Sequence, residues 1–145
     1  METDGYYKKK IKMKTFREIA NELRGTDFEF TKDNRKAYSK EIKKLVPTVD
    51  GHAELSDIAK KWLDTVARVI GTDSNKLGKA DRKVMARLLE VAATIVENPK
   101  PRCIKTSKSD YNRLVNDSKI EELIHGRYRM MAKLESGEVV IYEIE

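Results

Sequence analysis

The sequence predicts a mainly α fold with a small β element, and three observations carry that expectation. Two long apolar stripes at helical spacing run from Leu55 to Ile70 and from Val84 to Val96. Only three prolines and seven glycines interrupt 145 residues. The segment from Arg127 to Glu145 switches to a period of two around a Ser136–Gly137 pair. The expected architecture is a helical bundle around an antiparallel helix pair, about 54–70 and 80–97, plus a C-terminal β-hairpin at about 127–145. A strand over 7–13 has the alternation to join that hairpin. Residues 1–145 read as one domain with its own core, and 1–14 as a basic arm or edge strand.

In chain order, Thr15 with Glu18 three residues on is the signature of a capping box. The stripe Phe16, Ile19, Ala20 and Leu23 follows it, and Gly25 ends the helix. A second helix is expected from near Asp33, with the stripe Ala37, Tyr38, Ile42 and Leu45 and a stop at Pro47. The third carries Leu55, Ile58, Ala59, Trp62, Leu63, Val66, Val69 and Ile70, closed by Gly71. The fourth carries Val84, Met85, Leu88, Leu89, Ala92, Ile95 and Val96, and Pro99 and Pro101 follow it.

Beyond Cys103 the chain reads as a basic polar loop, then as helix from about Ser109 to His125 with a break at Asn116–Asp117–Ser118. In the final segment a two-residue Ser136–Gly137 turn would pair Leu134 with Val139 and Ala132 with Ile141. The buried face would then hold Tyr128, Met130, Ala132 and Leu134.

The charge pattern bears on function. Lysines and arginines outnumber acids by 30 to 24, a net charge of +6, and the excess is graded along the chain. Residues 1–50 carry +4, residues 51–100 carry +2, and residues 101–145 are neutral. Five of the seven residues from Lys8 to Lys14 are lysine, directly after Tyr6 and Tyr7. Clustered lysine suits a polyanion, because each neutralised phosphate releases condensed counterions. Single-stranded bases could stack on the two tyrosines. The same lysines could instead form a solvated arm.

Two pattern resemblances extend this reading. Ile19-Ala20 with Leu23 and Gly25, followed by Ser39, Ile42 and Leu45, resembles the two helices of a helix-turn-helix. That resemblance implies that Arg35, Lys36, Ser39, Lys40 and Lys43 lie on the exposed side of the second helix, although the connector is longer than in the motif. The region from the fourth helix to the hairpin resembles a winged-helix arrangement. It would turn Lys105, Lys108, Arg113, Lys119, Arg127 and Arg129 toward phosphate.

Catalysis has little in the sequence to support it. His52 sits in a turn after Asp50–Gly51, and His125 lies beside Gly126, where a cation complements a helix C-terminus. There is no Gly-rich phosphate loop, paired-cysteine zinc spacing or nucleophile elbow. The sequence therefore predicts a non-enzymatic protein without cofactor or metal. It would bind DNA or RNA through Lys8, Lys9, Lys10, Lys12, Lys14, Arg35, Lys36, Lys40, Lys43, Lys105, Lys108, Arg113, Arg127 and Arg129. The alternative is an adaptor or inhibitor, such as a viral accessory protein, that docks on an acidic protein partner. That reading predicts an exposed apolar patch or strand edge, for example at Val140, Tyr142 and Ile144. One cysteine and no apolar run of about 20 residues point to an intracellular setting, cytoplasmic or nucleoid-associated, and no membrane partner.

Overall fold

The computed structural model describes residues 14–25, 29–72, 77–117 and 119–145, with the side chains of Glu121 and Glu122 left aside. The expected strand over 7–13 lies outside the described residues.

Helix α1 (Phe16–Arg24) starts where the capping box requires. The Glu18 N–H donates to Thr15 Oγ1 at 3.1 Å, and the Thr15 N–H donates to Glu18 Oε1 at 2.8 Å. Each bond satisfies an amide that has no partner within the helix. Helix α2 (Lys32–Leu45) repeats the device with Thr31 and Asn34. A 3₁₀ turn over Val46–Thr48 follows it and contains Pro47. The face α2 buries differs from the expected one: Ala37 is exposed, while Arg35, Tyr38, Ser39 and Ile42 are buried.

Helices α3 (Glu54–Gly71) and α4 (Lys79–Glu97) match the two long stripes. Leu55, Leu63, Ile70 and Leu89 are fully buried, and each contributes roughly 1.5–3 kcal/mol of transfer free energy. The buried face of α4 keeps Met85, Leu89, Ala92 and Ile95 of the expected stripe and differs at its margins. Val84 and Val96 are exposed, whereas Ala86, Val91 and Ala93 are buried. The reason lies in the packing: α4 touches α3 but makes its most extensive contact with α1, and α3 makes its own with α2. The bundle is therefore two helix pairs, α1 on α4 and α2 on α3. Consecutive helices α1 and α2 share little contact, unlike the mutually braced helices of a helix-turn-helix.

The β element is larger than a hairpin. Strands β1 (Arg102–Thr106), β2 (Glu121–His125), β3 (Arg129–Lys133) and β4 (Val139–Ile144) form one mixed sheet in the order β1-β4-β3-β2. β1 runs parallel to β4, and β3 is antiparallel to both β2 and β4. Two expectations are corrected here. The basic loop after Cys103 is a strand. The helix expected over 109–125 is the short helix α5 (Lys108–Val115) followed by β2.

Ile124, Met131 and Ile141 on one sheet face join the core of the four long helices. On the other face, Met130 and Ala132 pack with Tyr111 of α5. Both faces of β3 are thus covered, which explains why Met130, Met131 and Ala132 are all fully buried. The Tyr111 hydroxyl lies 2.7 Å from the Arg129 carbonyl and 3.0 Å from that of Gly126.

The hairpin register is also one residue away from the expected one. Lys133 pairs with Val139, Ala132 with Val140 and Met131 with Ile141. The loop is Glu135-Ser136-Gly137 rather than two residues. The Leu134 N–H donates to the Glu138 carbonyl, the Gly137 N–H to the Leu134 carbonyl, and Gly137 has φ +93°. This is a type I turn closed by a left-handed glycine, and its extra residue slides the pairing by one.

Candidate nucleic-acid interface

Helix α2 presents a stripe of cations. Lys36, Lys40, Lys43 and Lys44 are exposed and recur at i, i+4, i+7 and i+8, turned away from the buried Arg35, Tyr38, Ser39 and Ile42. None of these four makes an ion pair among the described residues. Four ammonium groups on flexible stems, free of carboxylates, are suited to phosphates spaced along a backbone.

The helix keeps that orientation because its opposite face is pinned by polar contacts. Arg35, expected to be exposed, is 6% accessible and serves as a cap for α3. Its Nε donates to the Ile70 carbonyl at 2.7 Å, and Nη2 donates to the carbonyls of Val69 at 3.0 Å and Thr72 at 2.5 Å. The last carbonyls of a helix have few partners within it, although that of Val69 also accepts the Thr72 N–H at 3.3 Å, and a guanidinium there complements the helix dipole. Ser39, likewise expected on the exposed side, is buried, and its Oγ donates to the Ala67 carbonyl at 2.7 Å. A Cβ at Gly71 would stand 2.9 Å from that hydroxyl, so glycine lets the two helices approach.

Lys14 is drawn into the fold rather than left as a free charge. Its Nζ lies 2.8 Å from Glu22 Oε1 and 5.4 Å from the centre of the Tyr38 ring. The hydrogen bond to Glu22 raises its pKa. The Tyr38 hydroxyl donates to the same Glu22 oxygen. Burial, then that bond, pushes the Tyr38 pKa up. Lys8, Lys9, Lys10 and Lys12 lie outside the described residues.

The C-terminal cations do not form one phosphate-facing surface. Lys105 and Arg129 both pair with Glu143, Arg129 at 2.5 Å. The hydrogen bond from Lys105 leads in holding the Glu143 carboxyl below its ordinary range. Arg113 pairs with Asp110 on its own helix, and Arg127 lies 5.9 Å from the centre of the Tyr128 ring. Lys108 is exposed in the first turn of α5. The apolar positions of β4 are covered as well: Val140 is buried, and Tyr142 and Ile144 are half-buried beside α5. With β1 on one side and β3 on the other, β4 offers no free edge.

A second basic surface has no counterpart in the sequence reading. An open cleft of about 510 Å³ lies among α1, α4, β2 and β3. Arg17 and Arg24 reach it from α1, Arg87 from α4 and Lys133 from β3, with Glu90 the one carboxylate lining it among the described side chains. Arg24 grips Glu90 through Nη2 at 2.7 Å and Nε at 3.3 Å. Arg17 grips Glu97 through Nε and Nη2, both at 2.9 Å. Residues 17, 24, 87 and 133 are scattered in sequence, so no run of charge marked them. Only the packing of α1 on α4 and the placement of β3 bring them together.

Among the described residues, no group of three or more His, Cys, Asp or Glu is arranged to hold a metal ion. No helix among them is long and apolar enough to cross a membrane. No protein-family model, curated protein or solved structure matches the chain.

Proposed function

We propose that this is a non-enzymatic nucleic-acid-binding protein that grips phosphate through helix α2, with the N-terminal lysine cluster adding to the charge. The observation that carries this reading is the stripe of Lys36, Lys40, Lys43 and Lys44, exposed on one face and free of ion pairs among the described residues. Phosphate contacts of this kind supply affinity without sequence readout, and they make binding steeply salt-dependent. Lys105 and Arg129 contribute less, because both are engaged by Glu143. An exposed Cys103 without a disulfide suits a reducing, intracellular setting.

The test is binding to duplex DNA, single-stranded DNA and RNA over a salt series, with Lys36→Ala, Lys40→Ala and Lys43→Ala combined in one variant. The salt slope should become shallower by about 1 for each lysine removed. If the native protein binds no nucleic acid at low salt, the lysines instead serve an acidic protein partner.

A further inference from the structure

We propose that the cleft among α1, α4, β2 and β3 is a phosphate site, separate from the α2 stripe, that takes a diphosphate-sized group. Four cationic side chains from three elements line one concavity whose volume, about 510 Å³, falls in the range of small-ligand sites. Arg87 and Lys133 make no ion pair among the described side chains.

Arg17 and Arg24 supply geometry. Each is held in a two-point grip by a carboxylate, through Nε and one Nη2 hydrogen. A guanidinium carries five N–H donors, so Nη1 of each arginine is not used by its glutamate. Arginines fixed in this way lose little side-chain freedom when an anion arrives.

The chemistry of the lining selects the ligand. With Glu97, which holds Arg17, counted beside the lining, the described charged groups sum to +2, which a single carboxylate would leave half unbalanced, whereas one phosphate brings about −1.5 to −2 and a diphosphate more. Val91 and Leu123 provide a small apolar patch, and among the described residues no aromatic ring lines the cleft. Recognition by the described side chains therefore falls on the phosphates.

Inorganic pyrophosphate is the first probe, titrated calorimetrically into the full chain at low ionic strength. Saturable binding is expected, and Arg87→Ala combined with Lys133→Ala should weaken it at least tenfold with the fold retained by circular dichroism. The triple Lys36, Lys40 and Lys43 alanine variant should bind pyrophosphate as the native protein does. That variant separates the two sites, since it tests nucleic-acid binding without touching the cleft. A 5′-phosphorylated single-stranded oligonucleotide supplies the second arm. Displacement of pyrophosphate by it identifies a strand as the phosphate source, and retention of pyrophosphate identifies a free phosphate compound. Absence of saturable pyrophosphate binding, or equal binding by the Arg87/Lys133 variant, overturns the proposal.

Discussion

Glu54, the first residue of α3, accepts the backbone N–H of Tyr128 through Oε1 at 2.9 Å. That single carboxylate fastens the helical layer to the turn between β2 and β3. The bond from Tyr128, with further help from the N–H groups of Arg127 and Arg129, holds the Glu54 carboxyl below its ordinary range. Gly126 belongs to the same joint, because a Cβ there would stand 2.6 Å from Glu54 Oε1. The chain enters α3 through Ala53 at φ +50°, a conformation that costs an L-residue energy.

Glu54→Ala should destabilise the fold by about 1 kcal/mol in urea unfolding at neutral pH. The sign of the pH effect follows from the lowered pKa. The contribution is complete above the unfolded carboxyl value of about 4.3 and disappears as pH falls through the lower folded value. Glu54→Gln should remove that acid-dependent step. Gly126→Ala should destabilise the native chain yet have less effect in a Glu54→Ala background, and a double-mutant cycle would measure the coupling.

Arg35 is a structural cation, so its loss should separate stability from binding. Arg35→Ala removes the guanidinium bonds to the carbonyls of Val69, Ile70 and Thr72, of which Val69 keeps the Thr72 N–H, at a cost of about 2–3 kcal/mol. Arg35→Lys should restore only part of it, because one ammonium cannot reproduce the fork. Chemical denaturation would read the loss, while nucleic-acid affinity of the folded fraction should stay within twofold of native.

The Tyr38 hydroxyl, bonded to Glu22 and screened from water, should stay protonated above pH 10, where an ordinary tyrosine ionises. Its folded pKa is raised, so its stabilising contribution is complete below about pH 10 and declines as the unfolded chain ionises first. Absorbance at the phenolate band during an alkaline titration should show late ionisation, and Tyr38→Phe should lower the amplitude of that late step by one tyrosine.

Glu143 holds two cations, and its neutralisation should release both. Glu143→Gln should strengthen nucleic-acid binding at low salt and steepen the salt slope by about 1 to 2. Lys105→Ala in the native background should leave affinity unchanged. Equal weakening by Lys105→Ala and Lys40→Ala would place the β1 edge in the interface.

Local signals made the helices legible. Thr15 and Glu18 act on amides three residues away, and the stripes of α3 and α4 repeat within one turn, so the sequence carries both directly. The sheet was harder to read because its determinants are distant. β1 pairs with a strand nearly forty residues on, and among its residues only Thr106 is buried. β3 is covered on both faces, which removes the alternation that marks a half-buried strand. Arg35 shows the same limit at the candidate site. Charge and helical position suggested exposure, but the terminal carbonyls of α3, 35 residues away at Ile70, drew it inward. The cleft cations likewise share no local pattern, since tertiary packing alone assembles them.

The most direct measurement is fluorescence anisotropy of a labelled nucleic acid titrated with the native chain and with the combined Lys36, Lys40 and Lys43 alanine variant across a salt series. The account predicts tight binding by the native chain that weakens steeply with salt, and a variant whose slope is shallower by about 3. Identical slopes for the two proteins would contradict it, because the α2 lysines would then make no contact with phosphate.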